Sequence, residues 1–150
     1  MSNVKDLIGL EFEPYSMAVE KGKIKELAAA LGDDNPIYYD LEAAKKEGYE
    51  GIPVPPTFLQ VIDLWGGQGS VEKVEKLGLN LVKVLHGQQS YEYLGDIVDG
   101  DVLSVTSKVV QAETKSGSTG GMDLITNENQ YRNQRGELVA ITRSTLVHRH

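Results

Sequence analysis

The sequence predicts an α+β fold in a single domain spanning residues 1–150, with a long curved antiparallel sheet wrapped around one central apolar helix. Three observations predict it. Almost everything after residue 81 alternates apolar with polar residues between turn signals, the pattern of strands. The last three of these segments far exceed the roughly five or six residues usual for a strand, and antiparallel strands of that length generally coil. One stretch, TFLQVIDLW, carries apolar residues on nearly every side of a helix.

The elements follow in order. FEPYSMAV (12–19) puts Tyr15, Met17 and Val19 on one face at period two, a first strand. In KGKIKELAAALG, Ile24, Leu27, Ala28 and Leu31 recur at helical spacing, and Gly32 supplies a left-handed stop. After GDDNPIYYD (32–40), Asp40 is placed to cap a short peripheral helix, LEAAKKE, with Glu42 in its first turn, Lys45 and Lys46 in its last, and Gly48 closing it. Pro55 and Pro56 suit a helix entrance, so the central helix is expected at 56–65, buried all round with Phe58 and Trp65 in the core, and ended by Gly66-Gly67. Strands are then expected in VKVLHGQQSYEYL, DVLSVTSKVVQAETK, TGGMDLITNENQYR and ELVAITRSTLVH, with turns at Asp99-Gly100, Ser116-Gly117 and Arg135-Gly136. SGSTGG (116–121) and GGQG (66–69) lack the Gly-Lys-Ser/Thr of a phosphate loop and read as flexible hairpins. A long sheet around one apolar helix is the hot-dog fold. Such a sheet keeps an exposed edge, usually covered by a second copy, which predicts a dimer or higher even assembly.

Composition narrows the function. There is no cysteine, which excludes disulfides, thiolate metal sites and a cysteine nucleophile, and suits the cytoplasm. No apolar run approaches the roughly 20 residues of a membrane span, and the N-terminus does not read as a signal peptide. A formal net charge of -7 repels nucleic acid and anionic membranes. With no HxxxH and no carboxylate-histidine cluster, neither a metal nor another cofactor is expected.

GDDNP, then GYEGIPVPPTF, the strand VLHGQQSYEY with GDIVDGDVL after it, and the closing GELVAITRSTLV together resemble the MaoC-type (R)-specific enoyl-thioester hydratase and 3-hydroxyacyl-thioester dehydratase family. The chain is most similar to its N-terminal-half branch, whose members often serve as one subunit of a two-subunit dehydratase. The likeness covers nearly the whole sequence. In catalytic members the motif reads Gly-Asp-x-Asn-Pro-aliphatic-His, and the Asp-His pair handles the water and the substrate proton. Here the aspartate is Asp33, Asn35, Pro36 and Ile37 are in place, and Tyr38 occupies the histidine position. A phenol with a reference pKa near 10 is a poor base at neutral pH. Catalytic members also carry a His-Gly step at the start of the central helix, where backbone N–H groups hold the thioester oxygen. This chain has Pro55-Pro56-Thr57 there, which leaves Thr57 and Phe58 as backbone donors.

The resemblance implies an acyl-thioester channel past Asp33, Asn35, Tyr38, Pro56, Thr57 and Phe58, with Asp33 and Tyr38 as candidate catalytic residues. Against it stands a polar turn, with Asn35 making an Asx bond before Pro36. His86, in an alternating strand beside Gly87, is a replacement base or, more simply, a structural histidine; His148 and His150 lie in a tail expected to fray and carry no role. Three functions stay open. The chain binds the thioester while a partner hot-dog subunit supplies the Asp-His pair, or it is a self-sufficient homodimeric hydratase using Asp33, or it is a non-catalytic acyl-thioester binder or thioesterase. The carrier is coenzyme A or acyl carrier protein; net acidity favours the former, because acyl carrier proteins are themselves acidic.

Overall fold

The computed structural model describes residues 3–150. Five strands make one antiparallel sheet: β1 (Tyr15–Ala18), β2 (Val84–Tyr93), β3 (Val102–Gly117), β4 (Gly120–Arg132) and β5 (Leu138–Arg149), in the order β1-β3-β4-β5-β2. Period-two patterning does what it should. Along β3, Leu103, Val105, Ser107 and Val109 are buried while Ser104, Thr106 and Lys108 face out. The pairing skips Val110 in β3, Val139 in β5 and Gly87 in β2, and such irregularities bend long strands and add to the twist. The β3–β4 hairpin closes on the Gly117–Gly120 pair, so SGSTGG is a hairpin as expected. This is the hot-dog fold.

The helices are α1 (Lys21–Leu31), α2 (Leu41–Lys46), α3 (Leu59–Gly66) and α4 (Ser70–Lys76). α1 and α2 stand where the caps placed them, and Gly32, at φ +73, receives the end of α1 in the left-handed conformation that glycine tolerates. The central helix departs from expectation in two ways. It starts at Leu59 rather than 56, because Pro55–Phe58 forms a separate turn closed by the Phe58 N–H on the Pro55 carbonyl at 2.9 Å. It is also buried on one side only. Phe58, Leu59 and Ile62 pack inward, whereas Leu64 is 63% and Trp65 70% exposed, so Trp65 is no core residue. The sheet covers one face of the helix, and from the other side Trp65 is met by Lys23 of α1, with Nζ 5.4 Å from the ring.

GGQG is not a hairpin. It joins α3 to α4, and Gly66 and Gly67 let the chain lie against the Tyr15 ring, where a Cβ on Gly67 would stand 2.8 Å from the Tyr15 ring carbon Cε1. α4 itself escaped the sequence reading, since SVEKVEK offers only Val71 and Val74 as apolar residues. Val74 is buried, with Leu77 beyond it. Two apolar cores result. The larger joins α1, α3 and the inner sheet through Ile24, Leu59, Ile62, Leu103 and Tyr131; the smaller gathers Phe12, Leu77, Val109 and Ile125. No helix among the described residues is long and apolar enough to cross a membrane.

Candidate functional site

GDDNPIYYD turns the chain between α1 and α2 on local hydrogen bonds. Asp33 Oδ1 accepts the Asn35 N–H at 3.0 Å, and Asn35 Oδ1 accepts the Ile37 N–H at 3.2 Å, two successive Asx turns that lead into a single 3-10 turn, Pro36–Tyr38. The Tyr39 hydroxyl donates to the Asp33 carbonyl at 2.7 Å. Tyr38 is laid inward and only 8% exposed, within the larger core. Burial raises its phenol above the ordinary tyrosine value, and the negative charge of Asp33 and the neighbouring Tyr49 push the same way.

The helix entrance is held just as locally. Ile52 N–H donates to Asp99 Oδ1 at 2.8 Å and Val54 N–H to the Ile97 carbonyl at 3.1 Å, so GIPVPP runs beside the segment that leads into β3. At the end of β2 the Tyr93 hydroxyl donates to the Pro56 carbonyl, and the Tyr91 and Tyr93 rings stack at 6.5 Å. Burial also raises the Tyr93 phenol, with Tyr91 and Tyr38 adding to the shift. Asp33 is thus near Tyr38, Tyr38 near Tyr93, and Tyr93 bonded to Pro56, and Thr57 is exposed next to Pro56. Asn35 spends its side-chain oxygen on its own turn. Phe58 turns its ring into the core and its N–H onto Pro55, so of the two backbone donors named for the helix entrance only that of Thr57 is left.

The histidines lie elsewhere. His86 is seven residues before Tyr93 on β2, roughly 20 Å along an extended strand. It is exposed rather than a core residue, and its Nε2 is 3.4 Å from Ser144 Oγ. His148 closes β5 with Arg149, and the His148 and His150 rings stand 3.5 and 3.0 Å from the Asp123 carboxylate of β4, so this tail is paired into the sheet.

A second polar constellation is one the sequence reading missed. Asp63, on α3, accepts the Tyr15 hydroxyl and the Tyr131 hydroxyl on the same oxygen, Oδ1, each at 2.6 Å. Asn129 Nδ2 donates to the Tyr131 oxygen at 3.2 Å, and Asn127 Nδ2 donates to Asn129 Oδ1 at 3.1 Å and Ser107 Oγ at 2.7 Å. Burial raises the Asp63 carboxyl above the usual carboxylate range, opposed by the two phenols, the charge of Lys73 and Asn129. Both phenols are raised, first by burial and then by the carboxylate beside them. Asp63 and Asn129 help to line a cavity of about 270 Å³ between α3, α4 and the inner face of the sheet, whose walls include Phe12, Leu64, Leu77 and Leu146 beside Gln68, Lys73, His86 and Asn127. Asp33, Asn35, Tyr38, Pro56, Thr57 and Phe58 are not among its lining residues. The one signal for it in the sequence is an acidic residue inside an apolar helix, VIDLW, where a buried carboxylate needs partners.

The chain is a member of the FAS1-like dehydratase domain region family, whose sequence model matches residues 6–142. A relative from Streptomyces avermitilis, named only as a UPF0336 protein, is 36% identical over 91% of this chain and 87% of its own length. Among solved structures, the HadBC 3R-hydroxyacyl-ACP dehydratase complex of Mycobacterium tuberculosis superposes with a TM-score of 0.78 at 20% identity, covering 94% of this chain and 97% of that one. The ChsH1-ChsH2 complex of the same organism superposes with a TM-score of 0.76 at 22% identity, covering 97% of this chain and 86% of that one.

Proposed function

We propose that this chain is the acyl-thioester-binding subunit of an (R)-specific enoyl-thioester hydratase or 3-hydroxyacyl-thioester dehydratase of fatty-acid metabolism, and that a partner hot-dog subunit supplies the catalytic Asp-His pair. The observation that carries it is Tyr38. It fills the position of the family histidine, is buried, and has a phenol raised away from neutrality, so it stays protonated at pH 7 and cannot take the substrate proton. The sequence alternative, His86, lies roughly 20 Å along β2 from Tyr93, the residue whose hydroxyl bonds the Pro56 carbonyl. The helix entrance offers the Thr57 N–H where a pair of backbone donors would best hold a developing oxyanion.

The partner reading also suits the sheet. Among the described residues β2 pairs on one side only, with β5, leaving a ten-residue edge open along its other side. Around it Val82 is 93% exposed, and Leu81, Leu85 and Leu94 are exposed too. A second hot-dog sheet laid edge to edge along β2 covers that backbone and these side chains. The thioester end of the substrate then lies by Asp33, Tyr38 and Thr57, and the acyl chain runs on toward the cavity beside α3.

The test is hydration of a trans-2-enoyl-CoA by the purified chain, alone and mixed with a hot-dog protein that carries an intact Gly-Asp-x-Asn-Pro-aliphatic-His motif. The chain alone should turn over at least about a hundredfold more slowly than the mixture, the scale of losing a general base or an oxyanion donor. Tyr38→His should restore only part of the activity, since the prolines remain. Robust turnover by the isolated chain, abolished by Asp33→Asn, would replace this reading with the homodimeric enzyme.

A further inference from the structure

We infer that the cavity beside Asp63 selects acyl chains that carry a hydroxyl group along their length over plain ones. The inference rests on the acyl-thioester reading above and adds a substrate class to it. Two buried acceptor oxygens, Gln68 Oε1 and Asn127 Oδ1, have no hydrogen-bond partner among the described residues, and both residues line the cavity. Asp63 lines the same cavity, its Oδ1 held by both phenols. A buried acceptor without a donor is unfavourable, so the fitting occupant is one that donates.

Charge narrows the donor. Lys73 lines the same cavity and lowers the carboxyl of Asp63 by its positive charge, so an ammonium group would face Lys73 and an anion would face Asp63. A neutral hydroxyl meets both, donating to the oxygens and accepting from the ammonium. Phe12, Leu64 and Leu77 supply apolar wall for the methylenes on either side of it. Asp63 is four residues into α3 from Leu59, roughly 6 Å along the helix axis and beyond the turn that holds Thr57, so the hydroxyl sits well down the acyl chain from the thioester.

Isothermal titration calorimetry of the purified chain tests this, with dodecanoyl-CoA as the plain ligand against isomers bearing one hydroxyl moved stepwise along the distal half of the chain. At least one isomer should bind about tenfold more tightly than the parent, since a site with buried acceptors penalises the analogue that lacks the donor. Gln68→Met and Asn127→Leu should each cut severalfold the ratio of hydroxylated to plain affinity, because each removes one of the acceptors. Should Asn127→Leu fail to fold, Gln68→Met carries the test, since its Oε1 has no partner to lose. Equal binding of parent and isomers, or a preference untouched by Gln68→Met, overturns the selection and leaves the acyl site standing. Absence of binding by every ligand overturns the acyl site itself.

Discussion

Tyr131→Phe removes a single oxygen from a fully buried ring and leaves the ring in place. That oxygen donates to Asp63 Oδ1 at 2.6 Å and accepts Asn129 Nδ2 at 3.2 Å. A hydrogen bond to a charged group contributes about 1.5–3 kcal/mol, and a buried donor left without an acceptor costs about 1–3 kcal/mol. Because Asp63 keeps Tyr15 and the Asn129 amide keeps a second hydrogen, the lower part of each range applies, and the expected destabilisation is about 3 kcal/mol. For a chain of this size that lowers Tm by roughly 6–12 °C. Tyr15→Phe loses only its bond to Asp63 and should cost about 2 kcal/mol. The double variant should exceed the sum by about 1 kcal/mol, since the buried carboxylate then has neither phenol. Urea unfolding followed by far-ultraviolet circular dichroism measures all three. A Tyr131→Phe protein within about 0.5 kcal/mol of wild type would refute the claim that these phenols hold Asp63 in the fold.

The remaining predictions concern pH, the helix entrance and the sheet edge. The Tyr15 and Tyr131 phenols are raised in the folded chain, so the unfolded chain, with a reference phenol pKa near 10, loses those protons first; the stability they contribute is fully present below pH 10 and is lost as pH rises above it. The Tyr15→Phe, Tyr131→Phe double variant should therefore show a shallower alkaline fall in urea midpoint, and an unchanged fall would contradict the assignment. Gly51→Ala places a Cβ 2.7 Å from Asp99 Oδ1 and 3.1 Å from Val98 Cβ, which turns Asp99 away from the Ile52 N–H and should cost about 1–3 kcal/mol by urea midpoint. Stability equal to wild type would mean the segment has slack. Leu85→Asp on the open edge of β2 should leave the fold intact by circular dichroism and halve the mass found by light scattering if β2 is the assembly edge. An unchanged assembly would place the contact elsewhere.

Features built from near neighbours were legible in the residues. The helix Lys21–Leu31 with its Gly32 stop, the Asp40 cap, the Asx bond at Asn35 and four long strands with their glycine turns each follow from contacts within a few positions, which residue type and period 3.6 or period 2 report directly. The likeness that runs from GDDNP to GIPVPPTF implied a channel past Asp33, Asn35, Tyr38, Pro56, Thr57 and Phe58, and none of these lines the cavity beside α3. Other features depended on what covers a face. The apolar ring of TFLQVIDLW states that every side of the helix prefers burial, but not that this chain covers only the side of Phe58, Leu59 and Ile62, which leaves Leu64 and Trp65 exposed.

The Asp63 constellation is the clearest case of the second kind. Residue types determined that a carboxylate sits in an apolar helix and that tyrosines stand at positions 15 and 131. Only the tertiary structure decided that they meet, because the partners lie 48 and 68 residues from Asp63, on strands whose register and helix whose tilt no local pattern encodes. The unpartnered oxygens of Gln68 and Asn127 come from the same source, since whether a polar atom is satisfied depends on its whole surroundings rather than on its neighbours in the chain.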